Sequence, residues 1–301
     1  MLFFRRKGNV MTLFESIILG IIQGIAEFLP ISSSGHLAIF KKLFGLKDVG
    51  LTYDILLHAG TLVAVFIVYW KDILRLIIEG IGIIVDACRN IGRFFKKLSG
   101  NKQINYVKVL RTPYRKFVMF VIISTIPTGI IGVVFKKLFN LDNPALIVPG
   151  IGLLITALLL LTVDSLPKGR KTPKNMRYKD SVIIGIAQGI ATLPGISRSG
   201  TTLTVGVLCG LERKFAVKYS FIMSIPAILG ACVLDIKDMF KPENAISSTE
   251  LTYYIVGAIV AAIVGYFSIK VLLALYRNQK IRYFAYYCFT AGIVAIIAYF
   301  I

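Results

Sequence analysis

The chain has 301 residues, 56% hydrophobic and 17% charged, with a mean hydropathy of +0.76. Soluble domains average about 45–50% apolar and about 25% charged residues, so a soluble globular fold is excluded and one membrane domain over 1–301 is expected. The net charge of +20 comes from Lys and Arg in short stretches between apolar runs, the pattern of loops facing anionic headgroups rather than of a nucleic-acid surface.

In chain order, MLFFRRKGNV reads as too short and polar for a signal peptide. The apolar stretch 12–42 follows, broken in its middle by Pro, Gly and Ser. Residues 55–70 are the first, short candidate span, because a crossing takes about 20 apolar residues and fewer when its ends snorkel. Residues 73–86 carry Arg75 and Glu79 and read as an interfacial helix, and 88–116 as a basic, partly helical loop. Spans are then expected at 117–135 and 145–165. A second broken apolar stretch covers 181–210, and further spans cover 215–234, 251–275 and 282–301. Pro127 and Pro226, in STIP and MSIP, read as paired kinks. The four cysteines lack metal or CxxC spacing.

The two broken stretches superpose without a gap. ESIILGIIQGIAEFLPISSSGHL from Glu15 matches DSVIIGIAQGIATLPGISRSGTT from Asp180, an offset of 165 (180 − 15 = 165). Chance likeness of apolar helices would align Leu with Ile, not a shared Q-G-I-A and I-S-x-S-G. Irregular backbone at membrane depth is tolerated only where protein or a water-filled cavity satisfies it. Paired interrupted segments point to a site at a repeat interface. The expected fold is therefore an all-α polytopic membrane protein of two inverted repeats, each a re-entrant helix-loop-helix hairpin plus about three transmembrane helices. The first repeat covers 12–165, with 71–116 as an interfacial or cytoplasmic insertion, and the second covers 180–301. Basic loops 88–116 and 166–180 are placed in the cytoplasm and the acidic loop 235–250 outside; Arg5, Arg6 and Lys7 oppose that orientation.

Ionisable residues at membrane depth need a partner or a job. Arg198, in a Gly/Ser turn beside helix N-termini, suits a phosphate, offering bidentate donors beside free backbone amides; the alternative is an ion pair with Glu27. Glu27, ahead of a Pro-broken turn, suits acid/base or metal-related work. Gln23 lies one helical turn earlier on the same face, a candidate to orient Glu27 or hydrogen-bond the substrate phosphate, with Gln188 at the equivalent position pointing equally to a structural role. His36 is a candidate base, leaving-group acid or phosphate nucleophile. Ser33 stands opposite Arg198 in the repeat and marks specialised chemistry, while Ser32, Ser34, Ser197, Ser199 and Thr202 are candidate phosphate ligands. Asp54 and His58, at i and i+4, suggest a mutual hydrogen bond rather than a metal site.

These motifs carry a resemblance. QGIAEFLPISSSGH resembles the (E/Q)xxxE-FLPxSSxGH motif of bacterial undecaprenyl-diphosphate phosphatases, the bacitracin-resistance family, and PGISRSGTT is similar to its PGxSRSxxT motif, with Thr202 at the final threonine. YDILLHAGTLVAV, YSFIMSIPAILGA and FAYYCFTAGI extend the likeness over nearly the whole chain. Two departures are Gln23, where many members carry glutamate, and a longer stretch at 80–116. The resemblance implies hydrolysis of undecaprenyl diphosphate to the monophosphate and inorganic phosphate, recycling the carrier lipid of cell-wall synthesis. It also implies a site open to the outer face of the bacterial plasma membrane, a divalent cation (Mg or Ca, with Glu27 a possible ligand) and no organic cofactor. The functional set it transfers is Glu27, Ser33, His36, Ser197, Arg198 and Thr202. The expected partners are a polyprenyl diphosphate and membrane lipids, not nucleic acid. The nucleophile is Ser33, His36 or water. A competing reading is a transporter or flippase of a phosphorylated lipid or anion working through the same inverted-repeat site; a carrier needs no proton-transfer group, so Glu27 and His36 beside the hydroxyls favour the enzyme.

Overall fold

The computed structural model describes residues 11–46, 51–99, 105–139, 145–239, 247–277 and 280–300. The described residues form ten helices and no strand, the all-α polytopic arrangement expected. They are α1 (Leu13–Ala26), α2 (Ser33–Leu43), α3 (Leu51–Leu98), α4 (Pro113–Phe139), α5 (Ile147–Val163), α6 (Tyr178–Ile190), α7 (Arg198–Leu208), α8 (Arg213–Met239), α9 (Ser248–Arg277) and α10 (Arg282–Phe300). Four of them, α4, α8, α9 and α10, are long and apolar enough to cross a membrane, and α5 is a shorter apolar helix. Residues 5–7, whose charge opposes the expected orientation, lie outside the described residues, as do 240–246 of the acidic loop 235–250.

Both broken stretches are helix-turn-helix units, α1–α2 and α6–α7. Each begins with the same device: Glu15 accepts the Thr12 amide at 2.7 Å and Asp180 accepts the Arg177 amide at 3.0 Å, satisfying one of the amides a helix start leaves open. The two first half-helices also cross their neighbours alike. A Cβ on Gly20 would lie 2.5 Å from the Gly257 carbonyl oxygen of α9, and one on Gly185 would lie 2.3 Å from the Ser124 carbonyl oxygen of α4. Small residues let helix backbones approach this closely where lipid supplies no hydrophobic drive. So α1 packs on α9 while α6, its copy, packs on α4.

The run at 55–70 and the helix at 73–86 are one element in the structure. α3 bends at Tyr69 (φ −109°, ψ 19°) and continues to Leu98, beyond the end expected at 86. A polar column on α3 binds the start of α4, so the second half gains partners that keep it helical. Pro127 and Pro226 lie inside α4 and α8. The buried core joins the hairpins to α5 and α8: Phe28 meets Phe221 edge-on, and Phe117, Phe215 and Tyr219 cluster nearby. Large apolar side chains on α9 and α10, such as Ile263, Phe267 and Ile297, are exposed, as lipid-facing surfaces are.

Candidate active site

The two turns set the geometry. α1 ends before Pro30 and α2 starts after Ser32, whose φ of +68° makes it the sole positive-φ residue other than glycine among the described residues. Such a conformation costs on the order of 1–3 kcal/mol and persists only where neighbours enforce it. Here Ser32 Oγ accepts the Gly35 amide at 3.3 Å, and its carbonyl lies 2.8 Å from His36 Nδ1. In the second turn Gly195 takes the left-handed conformation (φ +87°). Ser197 caps α7 by accepting the Gly200 amide at 3.1 Å. The caps match, and so do the serine pairs beside them: Ser32 with Ser34 at 3.3 Å, Ser197 with Ser199 at 3.2 Å.

The tips meet symmetrically. A Cβ on Gly35 would lie 3.2 Å from Gly195 Cα, and one on Gly200 would lie 3.2 Å from Pro30 Cβ, a contact between positions that correspond in the repeat. The Gly195 amide donates to Ser34 Oγ at 3.3 Å and Ser199 Oγ to the Leu29 carbonyl at 3.4 Å. Thr156 of α5 holds the second turn from behind, accepting the Ser197 amide at 2.9 Å and donating to the Gly195 carbonyl at 3.1 Å. The irregular backbone of both turns thus finds its partners in protein.

At this junction Glu27 collects donors from both repeats. One carboxylate oxygen is ion-paired to the Arg198 guanidinium. The other accepts from Ser33 Oγ at 2.6 Å and Gln23 Nε2 at 3.0 Å. His58 of α3 stands alongside, its Nδ1 3.6 Å from that oxygen and 3.1 Å from Gln23 Nε2. The Glu27 side chain is 3% exposed and that of Arg198 20%. A carboxylate so buried is tolerable only when paired and hydrogen-bonded. The cluster opens into a cavity of about 350 Å³ lined by Glu27, Ser32, Ser33, Ser34, Ser197 and Arg198, with His58, Asp54, Thr128 and Gln188 completing its polar wall.

The remaining expected residues are placed differently. Gln23 supports Glu27 from behind. His36 turns away from Glu27 and Ser33: its Nε2 meets the Tyr287 hydroxyl of α10 at 2.7 Å. Thr202 bonds Ser220 of α8 at 2.6 Å and the Arg198 carbonyl at 2.9 Å, and Ser199 lies in the contact between the tips, so both sit behind the cavity wall. The mutual Asp54–His58 hydrogen bond is replaced by tertiary partners. Asp54 accepts from Lys41 of α2 at 2.6 Å, and His58 faces Gln23 and Glu27. A donor from another helix satisfies each better than its neighbour one turn away. His58 was visible in the sequence as a polar residue on an apolar run, but its spacing suggested the wrong partner. Thr128 and Gln188 reach the cavity from α4 and α6; Gln188 opens the second copy of the shared Q-G-I-A, whereas no motif signals Thr128.

Among the described residues no group of three or more His, Cys, Asp or Glu converges as a metal cage. Two carboxylates, Glu27 and Asp54, do line the cavity. One or two carboxylates beside substrate phosphates is the donor set a magnesium ion takes, so the residues fit an ion bound together with a phosphorylated substrate.

The chain is similar to known proteins over nearly its whole length. The family model described as bacitracin resistance protein BacA matches residues 16–294. The undecaprenyl-diphosphatase of Methanosphaera stadtmanae is 40% identical over 288 residues, 96% of this chain and 98% of that protein. That of Alkaliphilus metalliredigens is 42% identical over 288 residues, 95% and 98% of the two chains. That of Halothermothrix orenii is 40% identical over 288 residues, with the same coverage. Because the matches run through both loops and all the helices that hold them, the chain belongs to the bacitracin-resistance BacA family.

Proposed function

We propose that this protein is an integral membrane phosphatase that hydrolyses undecaprenyl diphosphate to undecaprenyl phosphate and inorganic phosphate at the junction of its two hairpins. The observation that carries the mechanism is the meeting of Ser33 and Arg198, one from each repeat, on opposite oxygens of Glu27 beside the cavity. The relatives, all named undecaprenyl-diphosphatase, supply the substrate class, and none favours the carrier reading.

The chemistry follows from what each group donates. An arriving diphosphate competes with Glu27 for the Arg198 guanidinium, a planar donor matched to phosphate oxygens. The Ser33 hydroxyl already points its proton at Glu27. Ser33 Oγ attacks the terminal phosphorus as that proton passes to Glu27. The bond from this phosphorus to the bridging oxygen breaks, undecaprenyl phosphate leaves, and the Glu27 proton goes with it. Water then attacks the phosphoserine, giving Glu27 a proton, and inorganic phosphate and the Ser33 hydroxyl are released. Arg198 holds the charge developing on the equatorial oxygens, where a preorganised cation in a low-dielectric site is worth most. A divalent cation would be held by Glu27 and the substrate's own oxygens, neutralising diphosphate charge. His36 fixes the Ser32 carbonyl and so positions the turn that presents Ser33.

The exchanged packing of α1 on α9 and α6 on α4 supports two repeats, 12–165 and 180–301. With the loop charges, it supports an inverted arrangement in a bacterial plasma membrane and a site reached from the outer side. The deciding experiment is phosphate release from undecaprenyl diphosphate by the purified protein in detergent with a divalent cation, beside Glu27→Ala and Arg198→Ala. Wild-type release well above both variants is expected. Equal release by all three would end the phosphatase reading and direct the search to transport in liposomes.

A further inference from the structure

The second half of α3 turns its charged face toward the protein and its apolar face outward, the reverse of a helix that lies on water. The whole helix has 48 residues, about 72 Å at 1.5 Å per residue, against a hydrocarbon core of about 30 Å. The part before the bend at Tyr69, 51–69, accounts for about 28 Å of that length, so the whole helix cannot lie across one hydrocarbon core. After the bend, the charged column faces the protein. Asp72 accepts from Tyr114 at 2.6 Å and from Lys218 of α8 at 2.9 Å. The buried Arg115 donates to Glu79 at 2.9 Å and to Asp86 at 2.6 Å. Asn90 and Val107 exchange two hydrogen bonds of 2.8 Å, and Arg93 donates to the Asn105 carbonyl at 2.7 Å.

The outward face is apolar. Trp70, Ile77, Ile84, Ile91 and Leu98 recur every seventh residue and are between 53% and 75% exposed. Helices on water do the opposite, burying the apolar stripe. The depth of this helix is set by Arg115, in the first turn of α4, which begins the next candidate crossing. One guanidinium binding both Glu79 and Asp86 lays the middle of the helix at the level where α4 starts. Exposed Arg89 and Lys96 border the apolar face, Arg89 also pairing with Asp86 at 3.4 Å, and exposed Lys97 follows on the polar side over the Tyr106 ring. A coiled coil with a second copy would call for charged positions beside the seam, whereas Ile78, Val85 and Phe94 stand there, all exposed.

We propose that residues 70–98 form a lipid-docking helix lying in the plane of an anionic membrane surface, with the isoleucine face in the acyl chains and Arg89, Lys96 and Lys97 among the headgroups. An amphipathic helix held this way binds through apolar burial plus attraction to anionic lipid. Its anchor through Asp72, Glu79 and Asp86 leaves the helix one orientation.

Trp70 is the chain's single tryptophan, so depth can be read by fluorescence. The double variant Trp70→Phe/Ile91→Trp is reconstituted as full-length protein into vesicles, with wild type alongside. Both fluorophores should be quenched several-fold more by lipids brominated near the headgroup than by acrylamide in the water. Brominated phosphatidylglycerol should quench the Ile91→Trp fluorophore several-fold more than brominated phosphatidylcholine, and adding Arg89→Gln, Lys96→Gln and Lys97→Gln should abolish that preference. Quenching of the Ile91→Trp fluorophore by acrylamide but not by brominated lipid would overturn the proposal, as would equal quenching by the two headgroups in the protein with its cations intact. Cys88 faces the same side and is exposed. Stoichiometric Cys88-linked dimers in vesicles under mild oxidation would replace the lipid with a second copy of the chain.

Discussion

The hairpin loop at residues 27–36 and its copy at 192–201 share a frame and differ in what the frame presents. Both cap their second half-helix with a serine, Ser32 or Ser197, that accepts the amide three residues on. Both press a glycine against the other loop, Gly35 against Gly195 and Gly200 against Pro30. Within that frame the first loop offers Glu27 and Ser33, while the second has Thr192 and Arg198 at the same places. A symmetric pair of either kind would fail: two glutamates would repel at this depth, and two arginines would leave no proton acceptor. The asymmetric pair neutralises itself before substrate arrives and divides the work afterwards.

This division is broken most sharply at Glu27. Glu27→Gln removes the proton acceptor and should lower phosphate turnover by about 10²–10⁴-fold, the range general base catalysis supplies, with substrate still bound through Arg198. Ser33→Ala should fall into the same range and abolish any labelled phosphoenzyme trapped by acid quench. A labelled intermediate that survives in this variant would move the nucleophile elsewhere. On the other loop, Arg198→Lys keeps the charge but loses the two-pronged geometry. The loss in kcat/KM should be about 10–10²-fold and reside partly in KM, which steady-state kinetics would separate from the pure kcat loss at Glu27.

Smaller effects test the frame rather than its chemistry. At Gly195 the backbone has φ +87° and a Cβ would lie 2.2 Å from the Pro149 carbonyl oxygen. Gly195→Ala should therefore destabilise the protein by about 1–3 kcal/mol, read as a lower thermal midpoint in detergent. Tyr287→Phe removes a single hydrogen bond to His36, worth about 0.5–1.5 kcal/mol, and should slow turnover only a few-fold. A loss as large as that of Ser33→Ala would mean that His36 touches the substrate.

The periodicity and composition of the chain determined much of this. Continuous apolar runs require helices because lipid leaves no other partner for the backbone, and a duplicated motif with Pro, Gly and Ser at its centre requires two interrupted hairpins. The pairing of Glu27 with Arg198 was legible as one of two readings, since a lone charge at that depth needs a partner. The tertiary structure decided what the motifs leave open: that Ser33 rather than His36 points at Glu27, that His58 joins from α3, and that Thr202 faces Ser220. It also joined the expected 55–70 and 73–86 into one bent helix that runs on to Leu98 and whose charges face inward. Local sequence states which residues are polar. Which polar atom meets which depends on distances across helices, 171 residues apart for Glu27 and Arg198, and only packing sets those distances.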